Sequence, residues 1–287
     1  MAKTTSTPPP AKGLVNRPPI AAIVDGDVGG IGKSMLAILI AMACALVGHA
    51  LQIFELDEQG KLKRFLGPDV QSLHAARLDL DADGERDLVP VFAAFHEALT
   101  TMPATQSSVL LEVGGALTEL TNAFITEVDV DQDIAELALN VIVFLVVIAT
   151  EESVRQVVGQ AATLRRILPS AQVVIVRNER DGCPVLAARD MPEKLAKAFA
   201  QMLANYPSIR MPRLRLKSRR LFEMLGEAPP TIMSWRHDHF REAMIRTKKS
   251  LAEAKRFVND VAAWSGAVHG ELVRILPFLG GDNGDAS

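Results

Sequence analysis

Apolar residues recur along this chain in two rhythms. Short, nearly unbroken runs rich in β-branched side chains occur at Ile20–Val24, Ala50–Phe54, Ser108–Val113, Leu139–Ile148 and Gln172–Val176. Runs of that kind mark strands buried on both faces of a parallel sheet. Between them lie helical stretches: Met35–Val47, closed by Gly48; a segment opened by Thr150-Glu151-Glu152-Ser153 that runs to about Ile167 before Pro169; and Met191–Tyr206. A glycine just past the last apolar turn and a proline soon after a helix are stop signals, and Thr with acids behind it is a start signal. Strands alternating with helices predict a doubly wound, mostly parallel α/β sheet.

Pro212–Leu216 predicts a short strand at the sheet edge, and Pro229-Pro230 a boundary. Beyond it, Ser234–Ala263 predicts one long helix and a second, shorter one to about Leu276. The chain is therefore expected to divide into a Pro-rich flexible tail (1–19), an α/β domain (20–230) and a C-terminal helical extension (231–287). The apolar stretches Met35–Val47 and Leu137–Ala149 are too short to cross a bilayer and are expected in the core of a soluble protein.

The 287 residues carry a net charge of only −3, but the charge is unevenly placed. Between Ile209 and Arg256 thirteen basic residues face five acidic ones, so the remainder of the chain is strongly acidic. The two cysteines, Cys44 and Cys183, form no spacing motif, which suits a reducing, cytoplasmic setting. Asp79-Leu80-Asp81-Ala82-Asp83-Gly84 copies the opening of a calcium loop, yet Pro90 occupies the place of the closing glutamate, so a solvated acidic turn is expected.

The chemistry concentrates after the first strand, in Asp25-Gly26-Asp27-Val28-Gly29-Gly30-Ile31-Gly32-Lys33-Ser34. Strand, Gly-rich loop, Gly-Lys-Ser and helix in that order predict a phosphate cradle. Glycines let backbone N–H groups turn inward, and the helix offers its positive end to an anion. Gly29, Gly30, Ile31, Gly32, Lys33 and Ser34 are the expected binding residues, with Lys33 on the β- and γ-phosphates and Ser34 on Mg²⁺. The usual first glycine of such a loop is replaced by Asp27. The second strand delivers Glu55 and Asp57, two residues apart and so on one face, at the end of a strand where α/β ligands bind.

Together, Asp27-Val28-Gly29-Gly30-Ile31-Gly32-Lys33-Ser34 and Glu55-Leu56-Asp57-Glu58-Gln59-Gly60 make the chain resemble the ParA/MinD family of deviant-Walker P-loop ATPases, a SIMIBI-like branch of the P-loop NTPases. The resemblance implies ATP and Mg²⁺ as ligands and a nucleotide-sandwiched homodimer. It implies that Asp57 handles the attacking water, that Glu112 takes the acidic position that holds Mg²⁺ through water, and that Gly114 and Gly115 form the γ-phosphate-sensing turn. It also makes Asn178, at the end of a later strand, the candidate for reading the adenine edge. The family's signature lysine falls on Val28, which carries no charge, and Lys61, Lys63 and Arg64 are the nearby cations that could replace it. Loss of such a clamp lowers turnover more than binding, and Glu112 in place of Asp points the same way.

The extension carries Arg241, Lys248, Lys249, Lys255 and Arg256, which the resemblance connects with nonspecific, salt-dependent DNA binding. An acidic protein partner and a solvated face are the other readings of this charge run. Gly270–Leu279 is similar to the amphipathic membrane tail of MinD, but Pro277 interrupts it and it holds one cation, so membrane attachment is not expected. The implied function is a weak ATPase whose nucleotide state controls dimerisation and binding to DNA or a partner, in plasmid partition, stability or conjugation. The alternatives are a nucleotide-binding adaptor that does not hydrolyse, and a metabolic ATP-dependent synthetase of the same fold.

Overall fold

In the computed structural model, which describes residues 18–26, 28–74 and 87–279, the apolar runs become one sheet. Its strands are β1 (Ile20–Asp25), β2 (Leu51–Leu56), β3 (Val70–Ser72), β4 (Ser108–Val113), β5 (Asn140–Val147), β6 (Gln172–Asn178) and β7 (Ser208–Met211). They stand in the order β3-β2-β4-β1-β5-β6-β7, and every neighbouring pair is parallel. The central strands β1 and β4 are buried at every position, and β5 everywhere past Asn140, because helices cover both faces.

The helices are α1 (Lys33–Leu46), α2 (Lys61–Leu66), α3 (Val89–Thr105), α4 (Thr118–Glu127), α5 (Val130–Glu136) and α6 (Glu151–Ile167). After them come α7 (Pro184–Ala187), α8 (Glu193–Asn205), α9 (Leu216–Leu225), α10 (Pro229–Met233), α11 (His237–Thr247) and α12 (Leu251–Ile275). One core gathers Phe92, Phe95, Phe124, Val157 and Phe199 from α3, α4, α6 and α8. The core on the opposite face holds Leu36, Leu39 and Ile40 of α1 with Val268 and Leu272 of α12. The chain leaves β1 toward β2 on one side and later crosses to β5 on the other. Its switch point therefore lies at the carboxyl ends of β1 and β4, where such sheets bind ligands.

The C-terminal segments differ from the sequence expectations. The edge strand is Ser208–Met211 rather than Pro212–Leu216, since Pro212 has no N–H to give a ladder and Leu216 already begins α9. The helix expected over Ser234–Ala263 is two helices. Lys248 adopts a left-handed conformation (φ 52°), and Ser250 opens α12 by a capping box with Glu253. From there α12 runs unbroken to Ile275, so the separate short helix does not exist. Leu221, Leu225, Ile232, Trp235, Phe257 and Val261, from α9 to α12, form a third, small core that spans the expected boundary at 230. The later turns of α12 instead join the sheet core beside α1. Among the described residues no helix is long and apolar enough to cross a membrane. Leu272, Leu276 and Leu279 of the tail-like segment are buried against the body of the protein.

Candidate functional site

A cleft of about 510 Å³ opens at the switch point. Gly29, Gly30, Ile31, Gly32, Lys33 and Ser34 form its floor, and Asp57, Glu112, Gly114 and Gly115 stand around it. Three separate stretches of sequence thus converge where the resemblance places a phosphate chain. Gln59, Lys61 and Ala116 complete the wall. Lys61 is the member of the Lys61, Lys63 and Arg64 trio that lines the cleft, whereas Arg64 lies over the ring of Phe65 at 5.2 Å. Val28 is half-buried against the core beside α1, an apolar role with no polar reach.

The loop's shape has local causes. A Cβ on Gly26 would meet Ile31 Cδ1 at 2.6 Å, and one on Gly32 (φ +100°) would meet Asn178 Nδ2 at 2.5 Å, so both must be glycine. Lys33, 5% exposed, donates from Nζ to Gly26 O at 2.5 Å and Val28 O at 3.1 Å. These are loop carbonyls, so the ammonium is held beside the cradle. Beneath it Asp25, 2% exposed, accepts bonds from Thr118 Oγ1, Gln160 Nε2 and its neighbour's N–H. Burial pushes the Asp25 carboxyl up, against those bonds and the nearby Lys33. It reads as the post that anchors the loop's first turn.

The acids sit opposite. Ser34 Oγ donates to Glu112 Oε1 at 2.9 Å. Glu112 is 1% exposed, and its other oxygen, Oε2, has no hydrogen-bond partner among the described residues. Burial drives its pKa to about 7; Ser34 opposes the rise, and the charges of Glu55 and Asp57 add to it. Glu55 and Glu112 are direct neighbours across β2 and β4. Oxygens of Glu55, Asp57 and Glu112 lie within 4.8 Å of one another, which suits a hard divalent cation. Glu55 is fully buried and already accepts from Leu62 N at 2.5 Å and Lys63 N at 3.2 Å, so it also fixes the start of α2. Burial raises the Glu55 carboxyl as well. Asp57 is half-buried and accepts from Gln59 N at 3.1 Å. A Cβ on Gly114 would meet Leu56 O at 2.7 Å, which ties the turn after β4 to the end of β2. The orphaned oxygen of Glu112 fits a cation or a cation-bound water.

Beside the cleft lies a second, apolar cavity of about 220 Å³, which shares Gly32 and Met35 with it. Met211, Pro212, Leu214, Phe222 and Trp264 form most of its wall, and Asn178 borders it. Asn178 is 4% exposed, and its amide is engaged with the loop: Nδ2 donates to Ile31 O at 2.7 Å, and Oδ1 accepts from Arg180 N at 3.0 Å. Sequence reasoning gave no site role to Met211, Pro212, Phe222, Trp264 or Arg180. They come from elements far apart in the chain, and no local motif marks them.

Arg241, Lys248, Lys249, Lys255 and Arg256 are exposed on α11, the break after it and the first turns of α12. Lys249 pairs with Glu253 at 3.6 Å, and the other four pair with no acid among the described residues. The calcium-like stretch 79–84 lies outside the described residues. Cys44 is buried, and burial pushes its thiol up to about 12, so it acts as a packing residue.

No protein-family model and no curated protein sequence matches the chain. Among solved structures it is similar to the MinC:MinD cell division protein complex of Aquifex aeolicus, at 14% identity and a TM-score of 0.42, over 84% of this chain and 96% of that one. It is likewise similar to the MinD cell division protein of Aquifex aeolicus, at 13% identity and a TM-score of 0.41, over 84% and 97% of the two chains.

Proposed function

We propose that this chain is a ParA/MinD-like nucleotide-binding protein that takes ATP with Mg²⁺ in the cleft and hydrolyses it slowly. The observation that carries this is the meeting of the glycine loop with Ser34 and Glu112, where a buried carboxylate oxygen has no partner among the described residues. Mg²⁺, held by Ser34 and by Glu112 through water, would supply charge neutralisation for the phosphates. Lys33, now on two loop carbonyls, stands within reach of the same anion. Asp57 faces the cleft as the group that orients the attacking water, and the apolar cavity beside Asn178 has the character of a base pocket.

Nucleotide state controls homodimerisation in this reading, and the unpaired cations of the extension contact DNA or an acidic partner. Plasmid partition, stability or conjugation is the matching biological setting. Val28, in place of a lysine, favours a second reading as an adaptor that binds nucleotide and does not hydrolyse it. Titration calorimetry with ATP and Mg²⁺ tests the first step. Wild type should bind, and Lys33→Ala should bind at least about tenfold more weakly, or 1.4 kcal/mol. Absence of binding by the wild type refutes the proposal, and binding without phosphate release selects the adaptor.

A further inference from the structure

Two successive carbonyls of the glycine loop are held from outside by a single turn. Arg180 Nη1 donates to Gly30 O at 2.7 Å, and Asn178 Nδ2 donates to Ile31 O at 2.7 Å. A trans peptide unit sets its C=O and N–H on opposite sides. Anchoring these two oxygens therefore aims the N–H groups of Ile31 and Gly32 the other way, toward the cleft that both residues line. An anion cradle depends on that aim being fixed before the ligand arrives.

Asn178 is buried within β6 and cannot shift without the sheet. Arg180 is held differently. Its guanidinium grips Asp181 at 2.8 Å, and Arg219 Nη1 of α9 donates both to the Arg180 carbonyl at 3.0 Å and to Asp181 Oδ1 at 3.1 Å. Arg219 is in turn oriented by Glu223 at 2.8 Å, one turn further along α9. This is a continuous polar path from the loop to α9, which packs in the third, small core through Leu221 and Leu225.

We propose that Arg180 is a positioning residue for the glycine loop and that Arg219 of α9 holds it there, so that α9 sets how tightly the loop holds phosphate. The inference rests on the nucleotide-binding reading above and adds to it a control point outside the cleft. A partner that displaces α9 on docking changes phosphate affinity, and phosphate changes docking by the same factor.

The test uses the full chain with ATP and, separately, inorganic triphosphate as probes in the presence of Mg²⁺. Arg180→Ala and Arg219→Ala should each weaken ATP binding about fivefold or more and weaken inorganic triphosphate by a similar factor, because the aim of the loop acts on the phosphates, whereas a contact of either arginine within the apolar cavity it borders would show with ATP alone. The double variant should lose little beyond the stronger single one, as expected for residues acting through one path. ATP affinity of Arg180→Ala close to wild type, losses for ATP without losses for inorganic triphosphate, or full additivity of the two changes would each overturn the proposal. Should Arg180→Ala prove too unstable to titrate, Arg219→Ala leaves the loop's own contacts in place and carries the same expectation. If wild type binds ATP and Lys33→Ala does not, a flat response of the arginine variants sinks only this inference. If wild type fails to bind ATP, the nucleotide reading falls first.

Discussion

Glu112→Gln is the perturbation whose sign is least intuitive. The carboxyl of Glu112 has a pKa of about 7 in the fold against an ordinary 4.5. Between these values the folded chain keeps a proton that the unfolded chain has lost, so folding stability falls as pH rises from about 4.5 to about 7 and stays low above it. At 1.36 kcal/mol per pH unit, this one group costs the ligand-free protein about 3 kcal/mol at pH 8. Glutamine keeps the shape and an acceptor for Ser34 and cannot ionise. In buffer free of nucleotide and Mg²⁺, Glu112→Gln should be more stable than wild type by up to about 3 kcal/mol at pH 8 and nearly equal to it at pH 4.5. Asp25 and Glu55 are shifted in the same direction, so the informative quantity is the difference between variant and wild type at each pH. With Mg²⁺ and ATP the gap at pH 8 should nearly close, since ligand at about a hundred times its Kd adds about 2.7 kcal/mol to the chain that binds it. Urea unfolding at the two pH values, with and without ligand, gives all four numbers. An equal destabilisation of Glu112→Gln at both pH values refutes the electrostatic account, and an undiminished ligand effect in the variant removes Glu112 from the cation site.

Other expectations follow from the same contacts. Gly32→Ala would place a Cβ 2.5 Å from Asn178 Nδ2 at a φ of +100°, so it should lower stability by about 1–3 kcal/mol and lower ATP affinity with it, read by unfolding and calorimetry. Asp57→Asn should leave ATP affinity nearly unchanged and slow phosphate release about a hundredfold in a single-turnover assay; unchanged release would take Asp57 out of the water-handling role. Replacing Lys255 and Arg256 by Ala should reduce the salt slope of duplex DNA binding by about two, without regard to sequence, and a slope equal to wild type would assign these cations to another partner or to solvent.

Much of this arrangement was legible in the sequence because strand periodicity and loop chemistry are local. The three stretches that meet in the cleft each carry their signal within about ten residues, and the parallel topology brings the ends of their strands together. The break at Lys248 was not legible. A left-handed lysine leaves no compositional mark, and the Ser250–Glu253 capping box lies inside a run that is helical on both sides. Asn178 was legible as a residue at a strand end, but its bond to Ile31 O depends on how far β6 and the loop lie from each other in space, 147 residues apart in the chain. The roles of Arg180 and Arg219 escaped notice for the same reason: each is one of many surface-type side chains until the fold supplies its partner.

The unbroken course of α12 has a consequence for how the molecule is made. At 1.5 Å per residue its 25 residues form a rod of about 37 Å, with one end in the third, small core and the other against α1. The first long helix of the chain is therefore covered by the last. During synthesis at about 5–20 residues per second, the face of α1 that Val268 and Leu272 later cover waits on the order of 10–40 s for its lid. Over that interval the nascent protein is a half-closed sheet with a greasy flank, so a ribosome stalled before α12 would release a product prone to stick to its neighbours.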